Sequence, residues 1–304
     1  MSDLSLSFAG VPFKNPVTVA SGTFGFGREY GTFFDLSALG GICVKGLTLH
    51  RREGNPPPRI VETTGGILNS VGLQNPGIDA FIRDELPWLR TFDTVIIANI
   101  SGNTVDEYAA LAEKCSRAGL DMIEVNISCP NVKAGGLAFG TDPESAAEVT
   151  RAVKAHADIP VMVKLSPNVT DIVKIASAVE SAGADAVSLI NTLLGMRIDL
   201  KTRRPILHNN MGGLSGPAVF PVALRMVWQV ASALNIPVMG MGGVSSGEDA
   251  VEMMLAGASL VSVGTALFSD PLAPLRVRDG IDAYCDSCRI PRACDLTGKM
   301  EPHR

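Results

Sequence analysis

Eight short runs of apolar, often β-branched residues recur along the chain and give the first indication of its fold. Most are apolar at consecutive positions, which is typical of strands covered on both faces in a parallel sheet. We therefore predict a buried strand at each run. The runs span residues 17–21, 41–45, 95–100, 122–127, 161–165, 186–191, 238–241 and 260–263.

Amphipathic stretches lie between most of these runs and predict helices. Residues that favour helix N-termini, Thr104, Asp142 and Ser246, precede three of them. The stretches cover residues 105–118, 143–157, 171–182, 218–234 and 247–256.

Strand and helix alternating over 304 residues predict an α/β fold, a (β/α)8 TIM barrel forming a single domain over residues 1–304. A doubly wound sheet is the alternative, but it usually opens its first helix with a glycine fingerprint. The glycines at 22, 25 and 27, after the first predicted strand, lack that spacing. Insertions at 47–74 and 193–217 follow strand ends, so we expect both to overhang the functional face of the barrel.

Charge and apolar patterning exclude several classes of function. The net charge is −5, and no run of Lys and Arg would form a nucleic-acid-binding face. No apolar stretch reaches the roughly 20 residues of a membrane helix, and no basic segment followed by an apolar block opens the chain. We expect a cytoplasmic protein with reduced thiols and no membrane or nucleic-acid partner. Cys285, Cys288 and Cys294 lack the two close pairs typical of a zinc site, so no metal is expected.

Polar residues and glycines occupy the ends of the predicted strands. Because the C-terminal ends of barrel strands meet at one face, these residues predict the functional site. The strand-end residues are Ser21, Lys45, Asn99, Asn126, Lys164, Asn191, Thr192, Gly242, Gly243, Gly264 and Thr265.

The glycines after the last two strands indicate a phosphorylated ligand. Glycine lets backbone amides approach a phosphate, and barrels commonly hold a phosphate between these two loops. Sugar-phosphate enzymes use the same arrangement.

Two lysines at strand ends, Lys45 and Lys164, limit which classes of ligand and reaction the site can serve. Such a lysine can form a Schiff base, as in an aldolase, can pair with an acid inside the barrel, or can face an anionic ligand. A flavin accounts for both, because one lysine would stabilise negative charge on the reduced ring while the other would lie between ring and substrate.

The stretch Asn126-Ile-Ser-Cys-Pro-Asn131 places a thiol between two asparagines directly after a predicted buried strand. The amides can bind a small polar molecule, Pro130 turns the chain outward, and Cys129 can act as a base or nucleophile. This stretch predicts a site that moves a proton on a bound ligand.

Motifs along nearly the whole chain resemble those of class 1 dihydroorotate dehydrogenases, and among them the type 1B catalytic subunit. Asn-x-Ser-Cys-Pro-Asn is shared with related flavin barrels, whereas Cys-Pro-Asn-Val-Lys-x-Gly-Gly followed by Phe139-Gly140 is more specific to type 1B. Further matching motifs are Ala20-Ser-Gly22, Val44-Lys-Gly46, Leu68-Asn-Ser-Val-Gly-Leu-Gln-Asn-Pro-Gly77, Lys164-Leu-Ser-Pro167, Gly212-Gly-Leu-Ser-Gly-Pro217 and Gly240-Met-Gly-Gly243.

The resemblance implies one FMN per chain. It implies contacts with the flavin ring from Ser21, Lys45, Gly46, Asn99, Asn126, Lys164 and Ile190. It implies contacts with the phosphate or ribityl chain from Gly216, Gly242, Gly243, Gly264 and Thr265.

The resemblance also implies a dihydroorotate site and a reaction that yields orotate in de novo pyrimidine biosynthesis. Cys129 would take a proton from C5, while the hydride on C6 would pass to FMN. A free cysteine has a pKa of about 8.5, so activity should rise toward alkaline pH. The implied substrate contacts are Lys45, Asn69, Ser70, Val71, Gly72, Leu73, Asn126, Asn131, Asn191 and Thr192.

Partners are implied by the resemblance alone. Type 1B enzymes form a homodimer flanked by two electron-transfer subunits, a heterotetramer in which each partner carries FAD and a 2Fe–2S cluster and passes electrons to NAD+. Two other functions stay open from the residues: an FMN barrel that acts on a different pyrimidine, such as a dihydropyrimidine or tRNA dihydrouridine enzyme, and a barrel that binds a phosphorylated ligand without redox chemistry.

Overall fold

The computed structural model describes residues 2–128, 136–301 and 303. Eight parallel strands close into a barrel, in the order β6-β7-β8-β1-β2-β3-β4-β5. The predicted barrel is confirmed, and all eight predicted strands are present with ends shifted by a few residues. The strands are β1 Val17–Val19, β2 Gly41–Cys43, β3 Val95–Ile100, β4 Met122–Asn126, β5 Val161–Lys164, β6 Ala186–Leu189, β7 Val238–Met241 and β8 Ala258–Val263.

Helices surround the barrel, and four of the five predicted helices begin within one residue of their predicted starts, whereas the helix Ala273–Cys288 was not predicted from the residue pattern. The Thr104 side chain accepts a hydrogen bond from Glu107 N, and Ser246 forms a reciprocal capping box with Asp249. The segment predicted as one helix over 218–234 begins instead with a 3-10 turn, Pro217–Val219. The longer helices are α1 Val105–Arg117, α2 Pro143–His156, α3 Ile172–Ser181, α4 Phe220–Ala231, α5 Gly247–Leu255 and α6 Ala273–Cys288.

Shorter helical segments fill the connections. A π-helical turn, Phe81–Glu85, joins the α-helical pieces Ile78–Ala80 and Leu86–Leu89. The others are Tyr30–Thr32, Leu36–Ala38, Gly136–Thr141, Thr265–Phe268 and Ala293–Leu296. No helix of the described residues is both long and apolar enough to cross a membrane.

The lower half of the barrel interior is apolar and closed by a hairpin. Strands Leu6–Phe8 and Val11–Phe13 pair antiparallel just before β1, at the N-terminal end of the barrel. Phe8 and Phe13 pack edge to face, with 6.1 Å between ring centroids. Both join a buried cluster formed by inward-facing residues near the strand starts. The cluster includes Cys43, Val95, Ile97, Met122, Met162, Ala186, Met239 and Leu260.

The two insertions meet in one antiparallel sheet, which we term the cover sheet. It consists of Leu193–Gly195, Gly212–Ser215, Gly66–Asn69 and Ile60–Thr63, in that order. Gly213 pairs with Asn69 across the two insertions. The hairpin of Ile198–Asp199 and Arg204–Pro205 lies within the second insertion. The insertions therefore do overhang the C-terminal face, and they form one structure rather than two loops.

Candidate active site at the barrel mouth

A cavity of about 400 Å³ lies between the C-terminal ends of the strands and the cover sheet. Its size is that of a small-molecule or cofactor site. Most of the residues predicted for the site line it. These are Ser21, Lys45, Gly46, Asn69, Val71, Gly72, Leu73, Asn126, Lys164, Ile190, Asn191, Thr192, Gly242, Gly243, Gly264 and Thr265.

The remaining predicted residues fall in three places. Gly216 lines a second cavity of about 310 Å³, which shares Gly243 and Thr265 with the first and continues from it. Asn99 and Ser70 are fully buried and do not line either cavity. Cys129 and Asn131 lie outside the described residues.

Beneath the cavity, the barrel interior changes from apolar to polar within two residues along several strands, of which β4 is the clearest case. Side chains of a strand alternate between its faces, so the inward-facing residues of β4 are Met122, Glu124 and Asn126. The first lies in the apolar cluster and the last lines the cavity. Glu124 lies between them and is completely buried.

Four side chains from four other strands surround the Glu124 carboxylate. Ser188 Oγ donates to Oε1 at 2.7 Å. Asn99 Nδ2 donates to Oε2 at 2.5 Å, and Cys43 Sγ donates to the same oxygen at 3.1 Å. The Lys164 ammonium lies 3.7 Å from Oε2. A carboxylate therefore forms the floor of the cavity, directly below a cavity-lining lysine.

The electrostatics of this floor favour an ionised Glu124 and a neutral Cys43. Burial alone would raise the pKa of Glu124, but Lys164 and the hydrogen bonds from Ser188, Cys43 and Asn99 outweigh it and hold the pKa below its usual value. Burial, and then the neighbouring Glu124 charge, raise the pKa of the Cys43 thiol well above its usual range. Cys43 is therefore a hydrogen-bond donor here and not a thiolate.

An amide network fixes the rim of the cavity between β4 and β6. Asn191 Nδ2 donates to Ser128 Oγ at 2.8 Å and to Asn126 Oδ1 at 3.3 Å. Ser128 Oγ in turn donates to Asn126 Oδ1 at 3.1 Å, and Tyr108 OH donates to the Asn126 carbonyl at 2.8 Å. The two asparagines are thus held rigidly at the point where the chain enters the Cys-Pro-Asn stretch.

The start of the cover sheet is tied to the β5 end by a single side chain. Asn168 Nδ2 donates to the Thr192 carbonyl at 2.9 Å, and Asn168 Oδ1 accepts from Leu194 N at 2.9 Å. On the side of Thr192 that faces Gly213 there is no room for another side chain, because a Cβ on Gly213 would lie 2.0 Å from Thr192 Oγ1. Asn168 and Gly213 together determine where the Thr192 side chain lies in the cavity.

Backbone closely surrounds the other end of the cavity. Gly243 has φ of +82°, and a Cβ there would lie 2.7 Å from Phe220 Cβ and 2.9 Å from the Gly216 carbonyl oxygen. Only glycine fits these contacts and this conformation without strain. Gly264 and Thr265 begin a 3-10 turn at the same end. This part of the cavity offers backbone groups and a hydroxyl, the arrangement that suits a phosphate.

Two buried polar atoms beside the cavity have no hydrogen-bond partner among the described residues, Ser262 Oγ and Asn99 Oδ1. Ser262 lines the cavity, and Asn99 Oδ1 lies under Gly46, 2.9 Å from where a Cβ of Gly46 would be. Buried polar atoms nearly always have partners, so both atoms fit a ligand that carries polar groups.

Several lining residues were not identified from the sequence. The alternation of inward-facing and outward-facing positions along the predicted strands would have identified Ser262, and also Glu124 beneath the cavity. Those on the cover sheet and on the turn after β8 carry no such signal. The missed lining residues are Ala20, Gly22, Thr23, Ile60, Ile67, Ser215, Met241, Ser262 and Phe268.

Comparison with known proteins gives one consistent family. The family profile described as Dihydroorotate dehydrogenase matches residues 3–284. "Dihydroorotate dehydrogenase B (NAD(+)), catalytic subunit" of Alkaliphilus oremlandii is 57% identical over 298 residues, which cover 98% of this chain and 99% of the relative. The protein of the same name from Geotalea daltonii is 56% identical over 303 residues, covering 98% of each.

A solved structure agrees on the fold. The crystal structure of DHODH in complex with ferulenol from Eimeria tenella superposes with a TM-score of 0.81 at 22% identity. The match covers 98% of this chain and 88% of that one.

Proposed function

The chain belongs to the dihydroorotate dehydrogenase family, and we propose that it oxidises dihydroorotate to orotate as an NAD+-linked catalytic subunit in pyrimidine biosynthesis. The main support for this proposal is that the chain is similar over nearly its full length to relatives whose names state that activity. The cavity at the barrel mouth supports it, because it combines two lysines, an amide network and a glycine-rich end.

FMN is the cofactor that we propose for this cavity, one per chain. The fit rests on the buried unpartnered atoms Asn99 Oδ1 and Ser262 Oγ and on the close backbone at Gly243. When bound, FMN supplies the hydride acceptor. Gly216, Gly242, Gly243, Gly264 and Thr265 would hold its phosphate and ribityl chain. The ring would lie against Ser21, Lys45, Gly46, Asn99, Asn126, Lys164 and Ile190.

Dihydroorotate would bind under the cover sheet. Lys45 would pair with the substrate carboxylate, and the amides of Asn126 and Asn191 would bind its ring carbonyls and N–H groups. The network through Ser128 holds these amides before substrate arrives, which lowers the entropic cost of orienting it. The further proposed contacts are Asn69, Ser70, Val71, Gly72, Leu73, Asn131 and Thr192.

Cys129 is the proposed base. It follows Ser128, which is fully buried and bonded to both rim asparagines, so the chain leaves a fixed point immediately before the thiol. Removing the C5 proton requires the thiolate, so the reaction should accelerate as pH rises.

The name "catalytic subunit" of the relatives implies a second subunit. We propose that this partner carries FAD and a 2Fe–2S cluster and passes electrons to NAD+, and that two copies of this chain and two partners form a heterotetramer. Co-purification with iron analysis would test this assembly.

The test of the enzymatic function uses the purified chain loaded with FMN. Dihydroorotate should bleach the bound flavin without oxygen, and dihydrouracil should not. Cys129→Ala should keep FMN and slow the bleaching by about 10²–10⁴-fold. Equal bleaching by dihydrouracil would favour a different dihydropyrimidine as substrate. A folded chain that takes up no FMN would contradict the redox function, and an unimpaired Cys129→Ala variant would remove Cys129 from the base role.

A further inference from the structure

The buried carboxylate of Glu124 has no part in the proposed chemistry, although it lies at the centre of the polar floor. It is on β4, and its four partners are on β2, β3, β5 and β6, so five adjacent strands converge on it. Its oxygens accept from Ser188, Asn99 and Cys43, and Lys164 supplies the opposite charge.

Packing alone does not explain a charge at this position. One layer lower, the same strands fill the barrel with Ile97, Met122 and Met162. Burying an ionised carboxylate is costly unless it is paired and hydrogen-bonded, and an apolar replacement of a buried ion pair is often neutral or stabilising. Glu124 is therefore placed where stability does not require it, directly beneath the cavity.

Glu124 contacts one residue that lines the cavity, Lys164, and one that lies beneath the cavity lining, Asn99. Its Oε2 accepts from Asn99 Nδ2, which leaves Asn99 Oδ1 as the end of the amide that lies under Gly46. The same oxygen is 3.7 Å from the Lys164 ammonium, which is itself almost fully buried. A carboxylate accepts only, so it determines both the orientation of the amide and the side on which the cation lies.

We propose that Glu124 is a positioning residue that holds the Lys164 ammonium at the cavity floor and fixes the Asn99 amide, and that through them it sets the electron affinity of the bound redox group. This inference rests on the proposed function for its redox readout. A cation beneath a reduced, anionic ring would stabilise it, so Glu124 would act by holding the Lys164 ammonium in place.

The charge of Glu124 itself has the opposite effect, which makes the proposal testable by sign. If Glu124 acts through Lys164, Glu124→Gln should shift the midpoint potential of bound FMN to a more negative value, as Lys164→Gln does. It should also slow flavin reduction by dihydroorotate by about tenfold or more. If Glu124 acted only as a negative charge near the ring, its removal would shift the potential to a more positive value.

A double-mutant comparison measures how much of the effect of Glu124 on the midpoint potential passes through Lys164. The negative shift caused by Glu124→Gln should be clearly smaller when Lys164 is already Gln, because only the contact with the Asn99 amide is then left for Glu124 to act through. Thr18→Val is the matched control, since Thr18 is a buried polar residue of the barrel interior that bonds Met239 and Val261 instead of the floor. It should leave the potential unchanged. Additive shifts in the double variant, a positive shift or no shift in Glu124→Gln would overturn the proposal.

Two further measurements keep the test decisive if Glu124→Gln does not fold or if the chain binds no FMN. Glu124→Asp retains the charge but withdraws it from Lys164 and Asn99, so its potential should also become more negative. Crystal structures of the variants without cofactor should show Lys164 and Asn99 in changed conformers. Unchanged conformers would refute the positioning role independently of the redox function, whereas a wild-type chain that fails to oxidise dihydroorotate would refute only the proposed function.

Discussion

The two halves of the barrel interior are built from the same strands but serve different purposes. The lower half contains apolar side chains closed by Phe8 and Phe13, the upper half contains Glu124 with Asn99, Lys164 and Ser188, and Cys43 lies at the boundary because it packs in the lower cluster and donates to Glu124. Along β4 the change takes one inward-facing position, from Met122 to Glu124. Alternation along a strand therefore sets which residues face inward, while the chemistry of those residues separates an apolar part that closes the barrel from a polar part that lies beneath the proposed active site.

The sharpest test of this division compares Phe8→Ala with Phe268→Ala. Phe8 is fully buried in the lower half, so its truncation should lower the free energy of unfolding by about 3–5 kcal/mol, measured by urea denaturation. Phe268 lines the cavity but is 56% exposed, so its truncation should change stability by less than about 0.5 kcal/mol. FMN affinity of the folded protein should follow the reverse order. Equal losses of stability would mean that the two halves are not energetically distinct.

A second comparison uses two glycines with left-handed backbone. Gly243→Ala should cost about 1–3 kcal/mol of strain and should also weaken FMN binding severalfold or more, because the added Cβ would clash with Phe220 and the Gly216 carbonyl at the cavity wall. Gly298 has φ of +71°, and a Cβ added there would meet no atom within 4 Å. Gly298→Ala should therefore cost about 1–2 kcal/mol of backbone strain and leave FMN titrations unchanged. An effect of Gly298→Ala on affinity would show that backbone strain, and not the clash, is responsible.

The upper half was predicted from sequence only in part, and the reasons are physical. Strand ends such as Lys45, Asn126 and Lys164 were identified because barrel topology brings all strand ends to one face. Glu124 was not, because a charged residue inside an apolar run is recognised as inward-facing only when the period of two is applied to the whole strand. The barrel itself was predicted because each strand carries a strong local signal.

The cover sheet shows the limit of local patterns. Gly213 pairs with Asn69, which belongs to a different insertion far away in sequence, and neither insertion indicates the other as its partner. The contacts of Asn168 with Thr192 and Leu194 depend on that pairing as well. Cover-sheet residues such as Ile67 and Ser215 were therefore missed, and Asn69 was identified only through the family resemblance, while residues at strand ends were found from the strand pattern.

Asn168→Ala tests whether the cover sheet positions the substrate rather than the cofactor. Losing both hydrogen bonds to the Thr192 carbonyl and Leu194 N should free the Thr192 side chain and raise KM for dihydroorotate by about 2–10-fold. FMN affinity and the midpoint potential should stay unchanged, in contrast to Glu124→Gln. Asn168→Asp keeps an acceptor for Leu194 N but places a carboxylate oxygen against the Thr192 carbonyl, so its KM should rise at least as far as that of Asn168→Ala. A change in potential on Asn168→Ala would show that the cover sheet and the floor are coupled.

The smallest expected effect is the contribution of the floor to acid stability. The pKa of Glu124 is depressed in the folded protein, because Lys164 and three hydrogen bonds outweigh the effect of burial. A carboxyl whose folded pKa lies below its unfolded value stabilises the fold above the unfolded pKa, and this contribution is lost as pH falls through the folded pKa. The difference in unfolding free energy between the wild type and Glu124→Gln should therefore be constant near neutral pH and diminish below about pH 4.5. Phe8→Ala should show no such pH dependence in its difference from the wild type, since no proton is exchanged in the lower half. A Glu124→Gln difference that persists unchanged into acid would mean that folding does not lower the pKa of Glu124, and a wild-type advantage that grows as pH falls would mean that the folded pKa is raised; either result would contradict the ionised floor beneath the cavity.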